Sequence, residues 1–211
     1  MDGGMTHNLR ADARENRGRI LEAARALFAE RGLDVPMREV ARRAGVGPAT
    51  LYRRFPTKQD LVDDAFADEL RACREIVVDG CADPDPWRGL SSVVEDLTVL
   101  NARNQGFVDA FMSAHPHAPV FGRHRADLLH RLAALAARAK RAGRLRHDFA
   151  VDDLVLVLLA GRGLSSAHPD TRTAAARRFA ALALDAFRES ATNGALPRRP
   201  PLLDDAVRVH R

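Results

Sequence analysis

A chain of 211 residues, 46% hydrophobic and 29% charged, is long enough to bury a sizeable core and too apolar to stay disordered. Its longest apolar run, 154–160, falls far short of the roughly 20 residues of a membrane helix, and residues 1–14 are too polar for a secretory signal. The net charge of +5 is lopsided: through Lys58 there are twelve Lys and Arg against seven Asp and Glu, and beyond it twenty-one of each.

These properties set the expected location as the cytoplasm, with no membrane partner. The basic N-terminal segment suits a polyanion, because neutralising phosphates releases counterions. A solvated arginine-rich face accounts for the same charge.

In chain order the pattern is helical nearly throughout, with no period-two strand. Residues 1–13 are expected to form a disordered arm. Ile20, Ala24, Leu27 and Phe28 form one apolar stripe, ended by Gly32. Met37, Val40, Ala41 and Ala44 form a second, ended by Gly45. Leu51 and Phe55 mark a third, with Pro56 beyond it. A long helix is expected over 57–78, capped by Thr57 with Asp60 three residues later, a capping box with Asp in place of Glu or Gln. Its Cys73 lies eight residues before Cys81; if both lie on one helix they are about 12 Å apart along it, which excludes an intrahelical disulfide. Two cysteines are also too few for a disulfide framework.

The segment 79–86, rich in Asp, Gly and Pro, carries the punctuation of a loop. Helices are expected over 87–104 and 105–114, then a break at His115-Pro116-His117, then a long arginine-studded helix over 120–142 stopped by Gly143. Helices over 151–161 and 171–190 complete the chain, and a tail over 192–211 is expected to be flexible.

The sharpest chemistry lies between Pro36 and Phe55. Two short amphipathic helices flank the turn Gly45-Val46-Gly47, and Pro48 restarts the chain as a helix. At about 100° per residue, Leu51 and Phe55 point inward together while Ala49 and Arg53 lie opposite, flanked by Thr50 and Tyr52. Two short helices joined by a glycine-containing turn are the geometry that lays a second helix in the major groove. Arg53 can pair with guanine O6 and N7, and Ala49 or Thr50 can meet a thymine methyl or a base edge. Tyr52 and Lys58 are better placed for phosphates, with Arg38 and Arg42 turned toward solvent or phosphate.

The stretch 37–61, with Ala44-Gly45-Val46, Thr50-Leu51-Tyr52 and Phe55-Pro56-Thr57-Lys58 at fixed spacing, resembles the signature of the TetR family of transcriptional regulators. Residues 20–32 resemble that family's first helix, so the likeness covers roughly 14–62. It implies an all-α fold: a three-helix helix-turn-helix DNA-binding domain over 14–58, and a helical ligand-binding and dimerisation domain over 59–191. It also implies DNA contacts from Gly47, Pro48, Ala49, Thr50, Tyr52, Arg53 and Lys58. Gly47 departs from the Ser or Thr frequent at that cap, although glycine still caps acceptably.

The family likeness further implies a homodimer on a near-palindromic double-stranded operator, released by a small-molecule effector, with no cofactor. The residues themselves offer pocket candidates. Asn101 and Asn104 extend the apolar stripe of Leu90, Val94 and Leu97, and buried amides require partners. Phe107, Phe111 and Met112 follow, a soft surface that suits an adaptable pocket or an ordinary core. His124 and Leu128 share one face of the helix over 120–142. The run 154–159 is apolar all round, and an alanine-rich face runs along 171–190. Leu154, Leu158, Phe179, Ala183 and Phe187 are therefore the dimer candidates.

Two rival readings remain at this point. A metal-dependent enzyme would use His115 and His117, yet there is no His-Glu-x-x-His and no Cys-x-x-Cys. A constitutive DNA-binding protein would have a packed C-terminal half without a cavity.

Overall fold

A computed structural model describes residues 3–103, 107, 111, 119–166 and 168–198. Among them are nine α-helices and one 3-10 turn: α1 (Gly3–Arg31), α2 (Met37–Arg43), α3 (Pro48–Arg54), α4 (Lys58–Ala65), α5 (Ala67–Ala82), α6 (Pro86–Arg103), α7 (Pro119–Arg141), α8 (Val151–Ala160), η1 (Gly161–Ser166) and α9 (Pro169–Phe187). The all-helical expectation holds. Residues 3–13 differ from it, because α1 reaches back to Gly3 where a disordered arm was expected. The signal there was polarity, which by itself does not stop a helix, and no proline interrupts the stretch.

The N-terminal three helices close around Ile20, Ala24, Leu27 and Phe28 of α1, all at most 2% exposed. Met37, Val40 and Ala41 of α2 and Leu51 of α3 pack against them, with Phe55 just beyond α3. The unit is tied to α4 by the Arg25 Nε donating to the Ala65 carbonyl at 2.6 Å and by an Arg17–Asp64 ion pair at 2.7 Å.

Thr57 caps α4 as expected. Its hydroxyl accepts from the Asp60 N–H at 3.1 Å, and the Asp60 carboxylate accepts from the Thr57 N–H at 3.0 Å. The helix does not continue to Val78 in one piece. It breaks at Phe66, whose backbone leaves helical values (φ −118°, ψ 16°). No glycine or proline marks the break, so local sequence carries no sign of it. The Phe66 ring is buried, 6.1 Å from Phe28 of α1 and 6.0 Å from Phe107. Its tertiary contacts outweigh helix continuity.

The stretch 79–86 is also a correction. α5 runs on to Ala82, and Asp85 caps α6 by accepting from the Trp87 and Arg88 N–H groups, leaving a connection of only 83–85. Gly80 is therefore a helix-interior residue, and it faces Gly89 across the α5–α6 crossing. Arg138 of α7 secures this corner by donating to the Cys81 and Asp83 carbonyls, each at 2.7 Å.

α7 ends at Gly143 (φ +65°), with the Arg144 N–H on the Ala139 carbonyl and the Gly143 N–H on the Lys140 carbonyl. Beyond it, Arg146 is only 7% exposed. Its guanidinium donates twice to Asp148 (2.6 and 3.1 Å), to the Ala186 carbonyl (3.2 Å) and to the Gly194 carbonyl (2.6 Å). Asp148 also accepts from the Leu196 N–H at 3.0 Å. The beginning of the expected flexible tail, through Leu196, is thus clasped to the body.

The Arg146 guanidinium, reinforced by the Leu196 N–H, holds the Asp148 carboxyl well below its ordinary value of 3.8. A depressed folded pKa contributes stability above the unfolded value and loses it only as pH falls through the folded one. The clasp should therefore survive acidification through about pH 4, where ordinary carboxylates titrate. Hydrogen exchange at the Leu196 amide, corrected for its intrinsic pH dependence, should show protection there in the native protein and lose it in Asp148→Ala already at neutral pH.

Candidate nucleic-acid interface and ligand cavity

The turn between α2 and α3 is built by Gly45 at φ +66°, a left-handed conformation that glycine adopts without strain. The Val46 N–H bonds the Ala41 carbonyl at 3.0 Å and the Gly45 N–H bonds the Arg42 carbonyl at 3.2 Å, closing α2 with a Schellman motif. Val46 packs its side chain against the core. Gly47 then serves as the cap of α3 with extended backbone and no side-chain bond, and Pro48 occupies the first helical position.

On α3 the inward and outward faces separate as the spacing predicts. Leu51 and Phe55 are at most 1% exposed. Gly47, Pro48, Ala49, Tyr52 and Arg53 are exposed, and Thr50 is half-buried. Tyr52 keeps 49% of its surface in solvent. That is unusual for a large aromatic side chain, and no described part of the C-terminal half covers the strip. Arg38 is exposed on α2. Arg42 stays open, its side chain 78% exposed, although it lies 3.2 Å from Glu39. Arg31, 2.6 Å away, and then Arg42 hold the Glu39 carboxyl below its ordinary value. Arg43 pairs instead with Glu30 of α1. Lys58 begins α4 half-buried, and burial pulls its ammonium below the usual lysine value while Asp34 works the other way.

In the C-terminal half an apolar cavity lies between helices. α5 contributes Cys73 and Val77, α6 contributes Leu97, Leu100 and Asn101, and Phe107 and Phe111 close one side. Leu128, Leu129 and Leu132 of α7 and Val151, Leu154, Val155 and Leu158 of α8 complete the described wall. The cavity is small, with a volume of about 50 Å³. Burial pushes the Cys73 thiol up to about 12, so it is protonated at neutral pH and unsuited to redox sensing. Asn101, 2% exposed, donates its amide Nδ2 to the Leu158 carbonyl.

Four of the expected pocket residues thus come together: Asn101, Phe107, Phe111 and Leu128. His124 is half-buried but outside the cavity wall, while Asn104 and Met112 lie outside the described residues. Leu154 and Leu158, assigned from sequence to a dimer face, instead turn into the cavity. Phe187 is also internal, its ring edge-on to Phe149 at 4.9 Å. Phe179 and Ala183 are half-buried. The large apolar side chains left open on α8 and α9 are Leu156 (49%) and Leu182 (60%). Periodicity could not rank these positions, because the run 154–159 is apolar in every direction.

A chain of aromatic contacts connects the two regions. Phe28 in the helix-turn-helix core meets Phe66 at the α4–α5 break, Phe66 meets Phe107, and Phe107 meets Phe111 at 5.6 Å in the cavity wall.

Residues 20–65 match the model of bacterial regulatory proteins of the tetR family, and residues 85–189 match the C-terminal domain of SbtR-like transcriptional regulators. The chain is 34% identical to a TetR transcription regulatory protein from Mycobacterium vanbaalenii, covering 85% of this chain and 99% of that one (TM-score 0.46). The chain belongs to the TetR family. A member of that family from Streptomyces coelicolor A3 shares the fold at a TM-score of 0.64 and 20% identity, covering 78% of this chain and 89% of that one. An HTH-type transcriptional regulator of Staphylococcus aureus (strain USA300) is 48% identical over 54 residues, which span 25% of this chain and 29% of the relative. The two family models describe transcriptional regulators and give no support to an enzyme. His115 and His117, on which the enzyme reading rested, lie outside the described residues. Among the described residues no group of three potential ligands could hold a metal ion, and no helix is long and apolar enough to cross a membrane.

Proposed function

We propose that the chain is a cytoplasmic, homodimeric repressor that reads a near-palindromic operator with α3 and is released from it by a small molecule bound in the C-terminal cavity. The observation that carries this reading is the open face of Ala49, Tyr52 and Arg53 with Thr50 at its edge, set on a helix whose opposite side is locked into the core. Arg53 supplies a guanidinium that fits guanine bidentately, and Thr50 and Ala49 lie beside it for a thymine methyl. Tyr52, Lys58, Arg38 and Arg42 surround the strip and serve phosphates.

Two such helices about 34 Å apart engage successive major grooves. We assign the twofold contact to α8 and α9 through Leu156 and Leu182, flanked by Phe179 and Ala183. The cavity favours a sensor over a constitutive regulator. A molecule that wedges the cavity wall displaces Phe107, and through Phe66 it reaches Phe28 and the angle of the helix-turn-helix. Release can be only as strong as the difference in the molecule's affinity for the two states.

Selection of bound DNA from a random library tests this directly: a palindromic consensus is expected, and a consensus without twofold symmetry would sink the dimer reading. On that consensus, Arg53→Ala should cost about 1–3 kcal/mol, and only when its own base pair is intact. Lys58→Ala should weaken binding to all sequences alike and lower the salt slope by about one. If fluorescence anisotropy finds both variants binding like the native protein, α3 is not the reading helix.

A further inference from the structure

Asn101 is the amide in an otherwise hydrocarbon wall; besides it, only the protonated Cys73 thiol interrupts the described lining. Its orientation is determined, since Nδ2 must face the Leu158 carbonyl and a flipped amide would set oxygen against oxygen. Oδ1 is then left buried with no hydrogen-bond partner. An orphaned buried acceptor is costly and calls for an explanation. A trapped water is a poor one, because it needs two to four polar partners and Oδ1 is the main one on offer. No described lining side chain carries a charge, so an ionic guest would be desolvated without a counterion.

We propose that the cavity takes a slim, uncharged, predominantly apolar molecule presenting one hydroxyl or N–H donor to Asn101 Oδ1. This rests on the reading of the cavity as the effector site and adds the chemistry of the effector. The apolar body fills the space between α6, α7 and α8. The single donor completes the Asn101 amide and selects among molecules of equal hydrophobicity. Because Nδ2 of the same amide already bonds the Leu158 carbonyl, the ligand's donor acts on the side chain that joins α6 to α8, one of the helices assigned to the twofold contact.

Three probes of equal reach test it on the full-length protein by calorimetry: 1-octanol, its isomer 1-methoxyheptane, which has no donor, and octanoate, which is charged. The alcohol should bind saturably, the ether about tenfold more weakly, and the carboxylate not detectably. In Asn101→Leu, the alcohol should lose its advantage over the ether. Should that variant fold poorly, the alcohol-to-ether comparison in the native protein decides alone. An ether or carboxylate that binds the native protein as tightly as the alcohol overturns the proposal, and so does an alcohol that shows no saturable binding up to its solubility. Operator release is read separately by anisotropy. The calorimetric preference without release would uphold the ligand class and remove the effector role. Release by a charged compound bound in the cavity would do the reverse.

Discussion

Gly89→Ala should destabilise the protein by about 3 kcal/mol or more, a large effect for one methyl group. A Cβ at Gly89 would collide with the Gly80 carbonyl oxygen, and it would also lie 3.1 Å from the Asp83 Cβ. The obstacle is backbone, which cannot swing aside as a long side chain does, so α5 and α6 must separate. Gly80→Ala should act in the same direction, its Cβ meeting Val93 and lying 2.8 Å from the Gly89 carbonyl oxygen. Gly18→Ala supplies the control: that glycine sits exposed in α1 with nothing within 4 Å, and alanine there should stabilise by up to about 1 kcal/mol. Urea unfolding at one fixed protomer concentration checks all three. Trp87, the sole tryptophan and two residues from Gly89, reports the crossing by its fluorescence. Equal stabilities for Gly89→Ala and Gly18→Ala would show that the helices do not approach as described.

This pair of glycines illustrates what the sequence could and could not reveal. Gly45 and Gly143 stop helices, as their place at the end of apolar stripes indicates, because a left-handed residue at a helix end is a local need. Gly80 looked the same in a segment of Asp, Gly and Pro, yet its role is to let α6 come close, a requirement set by a residue nine positions away. The helix-turn-helix was legible for the same local reason. Leu51 and Phe55 point inward and Ala49 and Arg53 outward by helical spacing alone. The cavity was legible only in part: Asn101, Phe107, Phe111 and Leu128 were reachable by extending stripes. Cys73 and Val77 on α5 and Leu154 on α8 belong to other helices, and only the packing of four elements brings them together. Arg146, nearly buried, escaped notice because a charged side chain in an arginine-rich chain gives no periodic signal that it is enclosed.

Phe66→Ala should remove about 3–5 kcal/mol, as for a large aromatic lost from a core. It should also do something that other core truncations do not. Phe66 is 2% exposed and stands where α4 gives way to α5, with Phe28 of the helix-turn-helix on one side and Phe107 of the cavity wall on the other. Besides this ring, α1 meets α4 through the buried Leu61, Val62 and Ala65 of the same core, the Arg17–Asp64 ion pair and the Arg25 bond to the Ala65 carbonyl; the ring adds the aromatic contact that goes on to the cavity wall. Exposed ion pairs contribute little, a median below about 1 kcal/mol. Without the ring, the two halves should lose their common transition. Far-UV circular dichroism, which sees every helix, should then report an earlier melting step than Trp87 fluorescence, which sees only the C-terminal half. Leu135→Ala, an equally buried truncation within α7, should lower both probes together. If Phe66→Ala also melts with the two probes coincident, the ring is ordinary core and the path from cavity to recognition helix runs elsewhere.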